Sequence, residues 1–380
     1  MLKHVTKKIF RTSHLQIGEG NISGYIACFL AILSCLGVLA FHFPEYLTTP
    51  ELRKSYSVEF LRQLMFVALI ISGSLGLLNF VRNTNKRLGA TAWFFIVLAI
   101  GFGGPNVEVN DFADNTPYIG LDWFILDLLG STLIFILIEK LLPHRKEQKI
   151  LRSEWRGDLN HFFVNHLIVG FVLLVTNHFV HYGFGWAVSS TLQGYIAQMP
   201  FILQLFLIIL VADLMQYWTH RAYHEVPFLW RFHRIHHADP DFDVTTGVRF
   251  HPAEILVSFI VKAVVILAIG TGPLTVVVFE ATLSSASLFT HANLKLSAHL
   301  DTYLRRFFVT PEMHRIHHSV KASEHNRNFC FFLSCWDLLF GSYYAESAAA
   351  QRTMAIGLKT ISADEANSFR KMLIHPFQRI

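Results

Sequence analysis

Residues 199–237 read MPFILQLFLIILVADLMQYWTHRAYHEVPFLWRFHRIHH. The stretch passes from a long apolar run directly into two clusters of histidine. An apolar run of this length predicts a helix that crosses a bilayer, and polar residues at its end are expected to face a protein interior. The pattern therefore predicts a membrane protein with a histidine-rich site at the end of a span.

The composition of the whole chain supports this interpretation. Of 380 residues, 52% are hydrophobic and only 16% are charged, and the mean hydropathy is +0.39, which lies well outside the average for soluble domains. Eight apolar runs are candidate spans, at 21–41, 60–80, 88–104, 123–138, 166–180, 199–214, 255–270 and 273–289. We predict an all-α fold, a polytopic membrane helical bundle of about six to eight transmembrane helices. A helical cap that carries the histidine boxes is expected on its cytoplasmic side.

The placement of lysine and arginine predicts the orientation. Basic residues are concentrated at the N-terminus and in segments 82–87 and 140–156, whereas segment 105–118 has three acidic residues and no basic one. Because basic loops stay in the cytoplasm, this pattern places both HRIHH copies on the cytoplasmic side. Arg53 and Lys54 oppose the scheme. The basic N-terminal stretch leads into a full-length apolar run without a cleavage site, so the first helix is expected to be an anchor.

Three regions are expected along the chain. Residues 1–150 contain apolar helices without a chemical motif, residues 151–345 contain the histidines of interest, and residues 346–380 form a C-terminal tail. The net charge of +5 is attributed to the cytoplasmic bias of basic residues and to attraction toward anionic lipid. A chain this hydrophobic is not expected to bind nucleic acid.

Histidine spacing is the main functional signal. The sequence HRAYH places His220 and His224 four residues apart, and HRIHH occurs twice, at 233–237 and 314–318. Positions i, i+3 and i+4 share one face of a helix, so each cluster directs its imidazoles into one small volume. Helices are expected at both copies, because Pro227 and the pair Thr310-Pro311 are typical helix starts.

The number and spacing of these histidines favour a dinuclear metal centre. Neighbours at i+3 and i+4 lie on either side of the midline of a face and can therefore reach two different ions. Imidazole binds iron, zinc, copper and nickel alike, so the ligand type alone leaves the metal open. A closed structural zinc site needs four ligands, whereas the three boxes offer eight.

The segment from HRAYHEVPFLWRFHRIHHADPDFDVTTGVRFHPAE through FTHANL and VTPEMHRIHHSV to NFCFFLSCWDLLFGSYY resembles the fatty acid hydroxylase/sterol desaturase superfamily. The resemblance covers roughly residues 205–345 and leaves residues 1–150 outside. It implies a non-haem di-iron centre and O2-dependent oxidation of a C–H bond in a lipid. The ligands that it implies are His220, His224, His233, His236, His237, His314, His317 and His318, together with His291.

Three further residues are candidates for the site. His251 of RFHPAE also matches a family position, either as a ligand or as a support of one. Where some relatives have a second histidine, this sequence has Asn293 or Lys295, and Asn293 is expected to take that role directly or through water. Asp213 precedes His220 by about two helical turns and is expected either to accept a hydrogen bond from a ligand histidine or to pair with a cation such as Arg221. Asp158, His161 and Asn165 share one helix face and are expected to support the ligands or to serve helix packing, instead of binding metal themselves.

The resemblance also implies cofactors and partners. These are two iron ions, O2 as co-substrate, a lipid substrate and electrons from a separate cytochrome or ferredoxin-type protein, since the sequence has no CxxCH and no ferredoxin-type cysteine run. The expected location is a bacterial inner membrane or the endoplasmic reticulum. Two alternatives remain open from sequence: a histidine-rich metal transporter and a protein that binds zinc for structure.

Overall fold

The computed structural model describes residues 17–18, 21–53, 57–109, 120–122, 132–148 and 155–378. Within these ranges the regular structure is helical, and β-pairing is limited to three isolated bridges. The chain divides into two compact units, residues 1–125 and 126–380. The predicted all-α class is confirmed.

Three long helices lie in the described part of the first unit: α1 (Asn21–His42), α2 (Val58–Arg82) and α3 (Arg87–Gly101). Short helical turns lie beside them at Pro44–Leu47, Pro50–Arg53 and Gly104–Asn106. The three helices approach closely through small residues; a side chain at Gly89 would meet the backbone of Gly76 on α2, and Ala92 is fully buried. Small residues allow helix backbones to pack in a membrane, where no hydrophobic force between helices is available.

In its described residues, the second unit holds nine further helices before residue 318. They are α4 (Thr132–Leu141), α5 (Trp155–Phe184), α6 (Ser190–Ala197), α7 (Phe201–Glu225), α8 (Pro227–His237), α9 (Pro252–Ile269), α10 (Pro273–His291), α11 (Ala298–Leu304) and α12 (Pro311–His317). Short helices follow at Ala322–His325, Cys335–Leu339, Ala348–Thr353, Ala363–Ala366 and Phe369–Ile374, and 3-10 turns occur at Gly185–Ala187, Val244–Val248 and His375–Phe377.

Six helices in the described ranges are long and apolar enough to cross a membrane: α1, α2, α3, α7, α9 and α10. This number agrees with the predicted six to eight, and the protein is an integral membrane protein. Helices α9 and α10 form a hairpin with 18 and 19 residues per arm. Gly270 ends α9 at φ +67°, a conformation that favours glycine. The apolar run at 123–138 lies largely outside the described residues, as do the basic residues of the N-terminus.

The helices that carry the two HRIHH copies begin at the residues that the sequence predicts. Pro227 is the first residue of α8. Thr310 caps α12, where its side chain accepts a hydrogen bond from the amide of Met313, and Pro311 follows at the first helical position. Helix α8 ends at His237, just before the Asp239-Pro240 step, and α12 ends at His317. His318 therefore lies just beyond the helix that carries its partners.

The division between the two units lies earlier than residue 150. Glu139 of α4 accepts hydrogen bonds from the amides of Val244 and Asn293, and Pro143 forms a bridge with Leu294. These contacts join α4 and the segment after it to the unit that carries the histidines. These contacts could not be predicted from the sequence, because Glu139 and its backbone partners are more than a hundred residues apart.

Candidate metal centre

Two groups of histidine side chains come together in the second unit. One, group A, has five members: His220, His224, His233, His237 and His317. The other, group B, has four members: His236, His291, His314 and His318. In each group one nitrogen per residue lies within 4.8 Å of the others, and eight of the nine residues are buried, with His224 half-buried. All eight box histidines and His291 are included.

Ring nitrogens face each other inside both groups. In group A the Nε2 atoms of His220 and His233 are 3.1 Å apart, and those of His220 and His317 are 3.0 Å apart. In group B the Nε2 atom of His291 lies 3.1 Å from that of His236 and 2.9 Å from that of His314. Imidazoles that bind one ion at about 2.0–2.1 Å place their nitrogens about 3 Å apart. The spacing thus fits a shared metal ion.

Each HRIHH copy contributes histidines to both groups: the first gives two to group A and one to group B, and the second gives one to group A and two to group B. The first copy gives His233 and His237 to group A and His236 to group B, whereas the second gives His317 to group A and two histidines to group B. This division follows from helix geometry, because residues at i+3 and i+4 lie on either side of the helix face. Helices α8 and α12 therefore serve both groups, while α7 completes group A and α10 completes group B.

Several histidines are oriented by hydrogen bonds from their outer nitrogens. The Nδ1 atoms of His220, His317, His236 and His291 lie 2.7–3.1 Å from the backbone oxygens of Phe329, Arg327, Arg249 and Ser287, respectively. A carbonyl oxygen only accepts, so these Nδ1 atoms carry the proton and the Nε2 atoms present a lone pair to the group. Metal-binding histidines usually have such outer partners.

Glu254 supports His233 with a carboxylate. Its Oε1 atom accepts a hydrogen bond of 2.7 Å from Nδ1 of His233, and both side chains are buried. Glu254 belongs to the HPAE sequence that carries the resemblance, but sequence reasoning gave it no role. Its position in the first turn of α9, three residues after His251, was the available signal.

Burial keeps these imidazoles neutral. The pKa values of His233, His236, His237, His314, His317 and His318 are all lowered well below 6.5, first by burial and then by neighbouring histidines. A neutral imidazole keeps the lone pair that a metal requires. In the part of the chain that the structure describes, both nitrogens of His318 lack hydrogen-bond partners, which a metal ion would supply at one of them.

Asp213 belongs to neither group, and it neither binds a ligand histidine nor pairs with Arg221. Its carboxylate accepts hydrogen bonds from the amides of Phe332 and Leu333 and from the indole of Trp336, while Arg221 pairs with Glu225. The expectation that Asp213 binds a ligand histidine is therefore wrong. The carboxylate instead anchors the loop after α12.

The same loop supplies the carbonyl partners of His220 and His317. Asp337 of the WDLLFG sequence also anchors this loop, because its carboxylate accepts hydrogen bonds from the amides of Phe329 and Cys330. Asn328 takes φ +55°, and its side chain donates to the carbonyls of Met313 and Tyr344. The buried acids thus fix the carbonyl oxygens that orient two histidines of group A.

His251 and Asn293 also lie outside the two groups. His251 caps α9: its Nδ1 accepts from the amide of Ala253, and its Nε2 lies 3.2 Å from the carbonyl oxygen of Leu373. Asn293 binds the backbone of Arg145 through both ends of its side-chain amide. These hydrogen bonds occupy the polar atoms that metal binding would need, so the structure does not place either residue as a ligand.

The polar face of α5 serves packing, in agreement with expectation. Asp158 pairs with Arg249 at 3.2 Å, and the side chains of His161 and Asn165 bind the carbonyl oxygen of Phe250. The ring of Phe250 stacks on His236, with ring centroids 4.4 Å apart. The face therefore fixes the segment that covers group B.

Comparison with known proteins agrees with this geometry. Residues 205–342 match the fatty acid hydroxylase family. Ornithine lipid hydroxylase OlsE from Rhizobium tropici is 28% identical over 267 residues, which cover 68% of this chain and 76% of the relative. Alkylglycerol monooxygenase from Homo sapiens is 29% identical over 135 residues, or 36% of this chain and 29% of the relative. No solved structure matches the chain.

Residues 205–342 are similar to fatty acid hydroxylases, and the resemblance predicted from the sequence is confirmed. The chain spans less than a third of the length of alkylglycerol monooxygenase. The match to the ornithine lipid hydroxylase extends well beyond the family segment. These similarities support a membrane enzyme that oxidises a lipid, and they disfavour the metal transporter.

Proposed function

We propose that this protein is a membrane-bound di-iron oxygenase that uses O2 to hydroxylate or desaturate a lipid. The observation that carries the proposal is the convergence of nine histidines into two adjoining groups of five and four within a fatty acid hydroxylase domain. Nine imidazoles exceed the four ligands of a closed zinc site. Iron bound in both groups would supply O2 activation, because it changes oxidation state and zinc does not.

The side chains of this domain would hold, orient and shield the metal ions. Groups A and B supply neutral imidazoles, and Glu254 fixes the ring of His233. The rings of Phe250 and Phe242 cover group B; Phe242 lies 5.1 Å from His318 between ring centroids. Aromatic walls exclude water, which strengthens the electrostatic interactions inside and protects reactive species from side reactions.

An apolar cavity of about 210 Å³ supports a lipid substrate. It is lined by Ala286, Phe289, Leu304, Phe308, Val309 and Phe332. Ala286 and Phe289 belong to α10, which ends at His291, and Val309 directly precedes the cap of α12. The cavity thus adjoins the two helices that carry His291 and His314 of group B. We propose that it receives a hydrocarbon part of the substrate.

Electrons would come from a separate cytochrome or ferredoxin-type protein. The positions of basic residues favour a cytoplasmic site for this exchange. Labelling of single introduced cysteines tests that side: an impermeant reagent added to intact cells should modify a cysteine at Asn115 and spare one at the exposed Lys359. Modification of the cysteine at Lys359 would refute the cytoplasmic assignment.

The central experiment joins lipid analysis to metal analysis. Membranes with the wild-type protein should contain a lipid that carries one additional oxygen or one additional double bond, and purified protein should hold two iron ions per chain. An oxygen from isotopically heavy O2 should appear in a hydroxylated product. His317→Ala should abolish the product, because it removes a ligand of group A.

His299→Ala is the matched control, since His299 is an exposed histidine of α11 outside both groups. It should retain both product and iron. Equal amounts of product in the two variants would contradict the proposed site. Active protein with zinc and no iron would contradict the proposed chemistry.

A further inference from the structure

The arginines of the two HRIHH copies have different surroundings. Arg234 in the first copy donates to the backbone oxygen of His375 at 3.2 Å and lies 2.7 Å from its Nδ1. Arg315 in the second copy is fully buried, and neither of its terminal nitrogens has a hydrogen-bond partner in the described ranges. Its guanidinium lies over the ring of Phe242, 5.3 Å from the centroid. The second copy therefore carries a buried cation whose two terminal nitrogens have no hydrogen-bond partner among the described residues.

Other basic groups surround the same position. Burial, followed by the charges of Arg315, Arg145, Arg352 and Lys295, lowers the pKa of His144 to about 3. Both ring nitrogens of His144 lack hydrogen bonds among the described residues, and its side chain is 3% exposed. Arg145 donates to the carbonyl of Met354, but its Nε atom has no partner there. Lys295 and Arg352 are exposed.

Nearby carboxylates do not hydrogen-bond to Arg315. Glu139 is engaged by two backbone amides. Glu312 lies 4.0 Å from His144 and 3.7 Å from Arg305. Burial, and then the charge of Arg145, lowers the pKa of Arg315 to about 9, while the charges of Glu312 and Glu139 act in the opposite direction. A guanidinium nevertheless stays protonated in proteins. A buried cation whose terminal nitrogens lack hydrogen bonds is costly, so this position favours an anion that brings acceptor oxygens.

We propose that the protein binds a phosphate-class oxyanion between Arg315, Arg145 and His144, with Lys295 and Arg352 at the exposed edge. Phosphate oxygens match the fork of an arginine side chain and can accept from several donors at once. Phe242 separates this position from group B, since its ring contacts both Arg315 and His318. The anion is either free phosphate or the phosphate of a lipid headgroup held beside the metal centre.

Thermal unfolding of the purified full-length protein in an uncharged detergent tests the site. One arm compares inorganic phosphate with chloride at equal ionic strength. The other compares micelles that contain phosphatidic acid with micelles that contain diacylglycerol, which has the same chains and no phosphate. A ligand of the folded state raises the midpoint as its concentration rises. A rise with inorganic phosphate identifies the free anion, and a rise only with phosphatidic acid identifies the headgroup.

Variants link the effect to the proposed residues. Arg315→Gln should weaken the binding at least about tenfold, as expected for lost charge-assisted hydrogen bonds, whereas Arg234→Gln should leave the concentration dependence unchanged. Glu312→Gln should tighten binding because it removes a competing carboxylate. If Arg315→Gln does not fold, Arg352→Gln should weaken binding and Glu312→Gln should still tighten it. The absence of any phosphate-specific rise, or a rise unaffected by these substitutions, overturns the proposal.

Discussion

Replacement of Glu254 should weaken metal binding although this residue is not expected to contact a metal. Its carboxylate accepts the 2.7 Å hydrogen bond from Nδ1 of His233, and both side chains are buried, so water cannot take its place. Glu254→Ala leaves that Nδ1–H without an acceptor and allows the ring to turn away from group A. Removal of such a partner typically costs about 10–100-fold in metal affinity, or about 1.4–2.7 kcal/mol.

Glu254→Gln should give an intermediate loss, because the amide oxygen still accepts a hydrogen bond but lacks the negative charge. The assay is the iron retained per chain after equilibration with increasing concentrations of chelator. Glu225→Gln is the control, since Glu225 is a carboxylate of α7 that pairs with Arg221 and is 57% exposed. It should release iron at the same chelator concentration as the wild type.

The size and order of the losses test the reasoning. The wild type and Glu225→Gln should retain the most iron, Glu254→Gln should retain less, and Glu254→Ala should retain the least. The iron lost first should be the ion of group A, because His233 belongs to that group. Iron retention in Glu254→Ala equal to that of the wild type would show that the hydrogen bond to His233 does not support metal binding.

Three other perturbations have defined outcomes. His236→Ala and His237→Ala, although adjacent in sequence, should weaken different ions, of group B and group A respectively, and metal spectroscopy that finds the same ion lost in both contradicts the assignment. Asp337→Asn should loosen the loop and reduce iron retention by about 10–100-fold, measured with the same chelator series. Metal-free protein should lose stability as the pH falls below 6.5, because the pKa values of His317 and His318 are lowered on folding and the unfolded chain then binds more protons. A midpoint of thermal unfolding that stays constant from pH 7 to about pH 5 would contradict this.

The spacing of the histidines predicted much of the candidate centre. Positions i, i+3 and i+4 are set by helix geometry alone, so the convergence of each box and its division between two ions could be inferred before any tertiary contact was known. The starts of α8 and α12 were likewise predictable, since Pro227 and Thr310 act locally. These features depend on residues within one or two turns of each other.

The supporting contacts could not be predicted in the same way. Asp213 was expected near a ligand because it precedes His220 on α7, but its partners are amides about 120 residues later. The acceptors for His220 and His317 are backbone carbonyls, which have no sequence signature. His251 lies next to a family motif, yet its position as a helix cap directs both nitrogens elsewhere.

The interleaving of the two groups makes the candidate centre depend on the packing of four helices at once. Group A takes its histidines from α7, α8 and α12, and group B takes its histidines from α8, α10 and the end of α12. The α9–α10 hairpin contributes to both, because Glu254 on α9 supports group A and His291 on α10 belongs to group B. Because α8 and α12 serve both groups, a shift of either helix displaces histidines of group A and group B together. We therefore expect the two HRIHH copies to contribute jointly to one candidate centre, instead of forming one metal site per copy.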